Sequence, residues 1–215
     1  MNKSILQKTD ALLIITYLIV GFVPYFSAVD KIAPQYIYLT ALNGISAFYI
    51  LFTFNKVNFK YSVYILYSLA GLSVWSFFSI FYAVNKAEVL IENSRIVIFL
   101  FAFVNMYLIG DRSKSLIKYV PYLITVILFI ELFLVYQKFY ERYTLDGTYS
   151  RDMGLRAFSG NINIAAFNFL LKFPFLLYTI LKIKISKVIK IIILSVFTFC
   201  LFLLGSRGAN LFFSI

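Results

Sequence analysis

The chain has 215 residues, of which 62% are hydrophobic, 20% aromatic and only 13% charged. Soluble domains are about 45–50% apolar and about 25% charged, so this composition and a mean hydropathy of +0.88 exclude an ordinary soluble domain. The net charge of +11 does not call for nucleic acid, because the basic residues sit in short gaps between apolar runs and form no soluble basic domain.

In chain order the apolar runs fall at 11–28, 34–54, 61–83, 96–109, 116–136, 162–180 and 188–204, with an eighth opening at Ala209 and reaching Ile215. A spanning helix takes about 20 residues. The pattern therefore predicts an all-α, polytopic transmembrane helix bundle, a single membrane region of about seven complete spans and an incomplete eighth. A membrane barrel is the weaker reading, because the runs lack period-2 alternation and most are about twice the length a barrel strand needs. The first run has no A-x-A cleavage pattern and reads as a retained helix. The fourth run is the shortest of the seven complete ones, open to a tilted, a re-entrant or an extended reading, the last reaching Ser94 and Gly110.

Orientation follows from the loop charges, since cytoplasmic segments carry the Lys and Arg excess. With the N-terminus inside, eleven basic residues face two acidic ones on the inner side, and eight face six on the outer side. The longest connection, 137–161, is then external, and Tyr136, Tyr140, Tyr143 and Tyr149 suit an interfacial aromatic belt.

The basic residues also sort by type. Ten of the eleven inner ones are Lys, with Arg112 the exception, whereas five of the eight outer ones are Arg. Lysine is a hydrated point charge; arginine presents a planar fork that binds phosphate or carboxylate at two points. The outer face thus reads as suited to an anion, against the plainer reading of a Lys-rich genome with a few chance arginines.

Helices running from outside to inside bring their free N–H groups and positive dipole ends to that face. The fourth is expected to open at Glu92-Asn93-Ser94-Arg95, the sixth at 156–163 and the eighth at 205–210, each pairing a capping Ser or Asn with an arginine. Gly205 and Gly208 fit either a close approach of ligand to backbone or a tight turn between spans.

Two ionisable residues fall within spans, Glu131 and Lys172. Such residues are functional candidates, although Glu131 can reach the external loop and the long Lys172 stem can snorkel. Cys200 is the single cysteine and there is no histidine, so neither an internal disulfide nor a His-based triad or metal site is expected.

The segments Arg156-x-x-x-Gly160-Asn161-x-Asn163-x-Ala165 and Leu204-Gly205-Ser206-Arg207-Gly208-Ala209 resemble the O-antigen ligase and polymerase family of bacterial envelope glycan enzymes. The likeness covers roughly the last 60 residues, in motif order and spacing as much as in letters. It implies transfer of a glycan from an undecaprenyl-diphosphate carrier to a lipid A core or growing glycan acceptor, at the outer face of the bacterial inner membrane, with no cofactor, nucleotide sugar or metal. Arg156 and Arg207 are then the expected diphosphate contacts, with Ser206, Asn161 and Asn163 capping or hydrogen-bonding beside them.

Two features depart from the family. Asn161-Ile162-Asn163 lacks the proline of the usual Asn-Pro-Asn, which favours a helix start. Members also carry more spans and a large late external loop with further Arg and often His, so the expectation is an N-terminal part of such a protein, its catalytic base not identified. The alternatives are a transporter or flippase of lipid-linked glycans, and an inactive truncated remnant, because an incomplete span leaves backbone groups unpaired in lipid.

Overall fold

The structure, a computed structural model, describes residues 3–24, 32–53, 63–146, 155 and 162–204. Its helices are α1 (Lys3–Leu18), α2 (Ala33–Thr53), α3 (Val63–Phe78), α4 (Lys86–Arg112), the single turn α5 (Lys114–Ile117), α6 (Val120–Asp146), α7 (Ile162–Lys182) and α8 (Lys187–Leu204). Two 3₁₀ turns, Val20–Phe22 and Ser79–Phe81, extend α1 and α3. No strand occurs among the described residues. Helices satisfy every backbone group within one segment, which lipid demands.

Six helical stretches are long and apolar enough to cross a membrane: α2, α3 with its 3₁₀ turn, α4, α6 with the α5 turn before it, α7 and α8. The chain is a multi-pass helical membrane protein. The first expected span, 11–28, is met only in part: α1 is 16 residues long, is not among these six and covers 11–18 of it, while 25–28 and the expected eighth span, 209–215, lie outside the described residues.

Two expected boundaries move. Helix α4 begins at Lys86, where the Asn85 side chain accepts the Glu88 N–H at 3.2 Å, a standard N-cap. The Glu92-Asn93-Ser94-Arg95 segment is therefore inside the helix, where Glu92 and Arg95 pair three residues apart. The polar residues look like a loop in sequence, but the capped helix carries Glu92 and Ser94 exposed and Asn93 and Arg95 half-buried, against Ser73 of α3 and Tyr36 of α2. Likewise α6 continues to Asp146, so the first part of the expected external loop is helical. Gln137 donates to Glu141 at 2.9 Å and Phe139 stacks on Tyr143 at 5.8 Å along that extension, the side-chain pairing that supports exposed helix.

The chain divides into two compact units, Met1–Leu116 and Ile117–Ile215. In the first, α4 contacts α1, α2 and α3, and the core includes Leu13, Ile14, Leu39, Leu42, Ala102 and Ile109. In the second, α6 and α8 both pack on α7 and on each other. Leu128, Leu132, Phe169, Leu176, Phe197 and Leu204 fill its centre. Phe52, Trp75, Leu171 and Leu181 are among the large apolar side chains left outward, as a surface solvated by lipid tails requires.

Candidate functional site

The short link 183–186 between α7 and α8 makes them an antiparallel hairpin, so the start of α7 and the end of α8 share one end of it. Ala165 and Ala166 in the first turns of α7 belong to the same buried cluster as Leu203 and Leu204 at the end of α8. Leu155, 1% exposed, belongs to that cluster too. Three of these adjoin or belong to the sequence motifs: Leu155 precedes Arg156, Ala165 closes the first motif, and Leu204 opens the second.

Arg156, Asn161, Ser206 and Arg207 themselves lie outside the described residues. Asn163 is described; it is exposed in the first turn of α7, where backbone N–H groups have no acceptor within the helix. Two of the other arginines expected on the outer side, Arg95 and Arg142, differ in surroundings. Arg95 pairs with Glu92 and lies over the Tyr36 ring at 5.1 Å, whereas Arg142 is exposed on the α6 extension.

Glu131 and Lys172, which sequence leaves as separate residues with separate escape routes, meet inside the second unit. Lys172 Nζ donates to both carboxylate oxygens of Glu131, at 2.7 and 2.6 Å, and Asn168 Nδ2 donates to Oε1 at 3.2 Å. The side chains are only 3% and 18% exposed for Glu131 and Lys172. Neither the loop-reaching nor the snorkelling reading survives this. Lys172 stands ten residues from each end of α7, about 15 Å at 1.5 Å per residue, which is mid-depth for a hydrocarbon core of about 30 Å.

A second α6 to α7 contact lies nearer the C-terminal end of α7. Thr125 Oγ1 and Thr179 Oγ1 are 3.0 Å apart and both are buried. Thr125 also donates to the carbonyl of Pro121 at 2.8 Å. Pro174 lies between the two polar contacts, within α7. On α8, the buried Cys200 thiol faces the same core, within electrostatic reach of Glu131.

The first unit holds two polar clusters that sequence reasoning did not foresee. Asp10, 1% exposed, receives Arg112 through a two-point fork, with Nε to Oδ2 at 3.0 Å and Nη2 to Oδ1. Tyr49 OH donates to Oδ1 at 2.8 Å, Ser113 Oγ to Oδ2, and Arg112 Nη1 to Thr53 Oγ1 at 2.8 Å. These residues tie α1 to the C-terminal ends of α2 and α4. The available signals were an acid at the head of the first apolar run and one arginine among inner lysines.

Deeper in that unit, Tyr17 OH donates to Asn43 Oδ1 at 2.9 Å, and Asn105 Nδ2 donates to Tyr17 OH at 3.2 Å and to the Asn43 carbonyl at 3.1 Å. Asn43 Nδ2 reaches the Ile98 carbonyl at 2.9 Å. Ser46, one turn further along α2, is fully buried near the Tyr17 hydroxyl with its Oγ outside hydrogen-bonding geometry. With its polar atoms otherwise satisfied internally, this network acts as interhelical adhesive.

No protein-family model, curated protein or solved structure matches the chain.

Proposed function

We propose that the protein is a glycan transferase of the O-antigen ligase or polymerase kind, taking its glycan from an undecaprenyl-diphosphate carrier. It works at the outer face of the bacterial inner membrane, with a cytoplasmic N-terminus and a lipid A core or growing glycan as acceptor. The reading rests on the two arginine-bearing motifs. One structural observation supports it: the antiparallel α7 and α8 hairpin brings Ala165 and Leu204, one from each motif, to the same end, and both belong to one buried cluster that also includes Leu155, next to Arg156.

The chemistry suits that location. A diphosphate leaving group on a membrane lipid sits at headgroup depth, where guanidinium forks and a helix N-terminus stabilise the charge that develops as the glycosyl bond breaks. Arg156 and Arg207 are assigned to the diphosphate, and Asn161, Asn163 and Ser206 to capping and hydrogen bonding beside it.

The test is reconstitution of the chain into vesicles with an undecaprenyl-diphosphate-linked oligosaccharide and a glycan acceptor. Binding of the undecaprenyl-diphosphate carrier is expected with the natural sequence. Arg207→Lys keeps the charge but loses the fork and is expected to weaken binding of undecaprenyl diphosphate by about tenfold, about 1.4 kcal/mol. Equal affinity in the two proteins would overturn the assignment of Arg207. Movement of the oligosaccharide across the bilayer without transfer would replace the reading with a transporter.

A further inference from the structure

The Glu131, Lys172 and Asn168 cluster is not needed to pack the second unit. An apolar pair of similar volume in such a place is commonly as stable or more stable, because desolvating two charges offsets most of their attraction. The placement of the cluster along α7 is more informative.

Two polar contacts join α6 to α7, and Pro174 lies between them. The inner contact is Thr125 with Thr179; the outer is Glu131 with Lys172 and Asn168. Proline supplies no N–H, so the Leu170 carbonyl loses its ordinary helical donor, and the ring crowds that carbonyl. The weakest turn of α7 is therefore the one holding Lys172. Outward of it, α7 meets the core through the small side chains of Ala165 and Ala166 together with Phe169. Inward of it, Leu176, Thr179 and Ile180 are all buried.

We propose that α7 is a two-part helix hinged at Pro174, its outer half latched to α6 by the ion pair of Glu131 with Lys172. The inner half stays clamped by Thr125 and Thr179 while the outer half, which leads to the Asn163 end, opens and closes. Sharp kinks in helices fall almost always at proline or a similar break, and hinging about a few residues is a known mode of switching. The latch is independent of what binds at the outer end.

Cys200 supplies the reporter, as the single cysteine of the chain, fully buried in the core that an open α7 would uncover. The experiment is alkylation of Cys200 by a small maleimide, in the whole chain reconstituted in vesicles. Glu131→Gln combined with Lys172→Met removes the latch without stranding a buried charge. Alkylation about tenfold faster than in the natural sequence, as expected of a local opening, is predicted, with an unchanged melting temperature. Adding Pro174→Ala, which restores the missing N–H, is predicted to bring the rate back down. An unchanged rate in the double variant overturns the latch. A fast rate that persists with Pro174→Ala overturns the hinge, and a fast rate with a matching loss of melting temperature reduces the pair to core packing.

Discussion

Asp10 and Arg112 are 102 residues apart in sequence and form a two-point ion pair in the first unit. Asp10 is almost wholly buried, so removing Arg112 leaves a carboxylate in a site with little water. Breaking a buried pair from one side costs about 3–5 kcal/mol. Arg112→Met is expected to lower the stability of the first unit by about 3 kcal/mol, and Arg112→Lys by less, since it keeps the charge but not the fork. Unfolding by detergent titration in mixed micelles measures both, and equal losses would show that the fork geometry contributes nothing.

Tyr17, Asn43 and Asn105 are linked through one hydroxyl, so their contributions are coupled. Tyr17→Phe takes a donor from Asn43 Oδ1 and an acceptor from Asn105 Nδ2. Interhelical hydrogen bonds in membranes are worth about 0.6 kcal/mol on average, so a loss of about 1 kcal/mol is expected. Adding Asn43→Leu to Tyr17→Phe is expected to cost less than the two single losses together, because the second change removes a group already left unpaired. A double-mutant cycle of unfolding free energies with strict additivity would contradict a shared network.

The helices were legible in sequence because lipid allows few alternatives to a long apolar run. Their ends were less so. Glu88, Glu92 and Arg95 break the apolar run, yet α4 absorbs them through the Asn85 cap and an internal ion pair. Partnerships were not legible at all. Glu131 and Lys172 are 41 residues apart, and each alone has a plausible route to water; only the packing of α7 on α6 shows that they use each other. For the anion site, Arg156, Asn161, Ser206 and Arg207 lie outside the described residues, so the structure speaks through their neighbours and through Asn163.

The inner excess of lysine predicts a topology that labelling can test. Thr144 on the α6 extension and Lys184 between α7 and α8 are both exposed, and they belong to opposite ends of the spans. Cysteines placed singly at each site, with Cys200 replaced by Ala, are expected to divide cleanly. In intact cells a membrane-impermeant maleimide should modify the position 144 variant, and the position 184 variant only after permeabilisation. The reverse pattern would place the N-terminus outside and contradict the loop-charge rule.

Leu155 is the described residue immediately before Arg156, and it is buried with Leu203 and Leu204 in one cluster. If that burial fixes the segment carrying the arginine, shrinking the side chain should affect affinity as well as stability. Leu155→Ala leaves a cavity, and large-to-small changes of this kind cost about 2–5 kcal/mol. The lower end is expected here, because the segment can settle into part of the space. Affinity for undecaprenyl diphosphate is expected to fall by about tenfold, since positioning by a packed anchor is lost and the ordering cost returns to the binding step. Leu176→Ala in the same core supplies the comparison: it should lower stability with little change in affinity, because Leu176 sits on the inner half of α7, away from the motifs. Equal loss of affinity in both variants would mean that Leu155 acts through general stability and does not position Arg156.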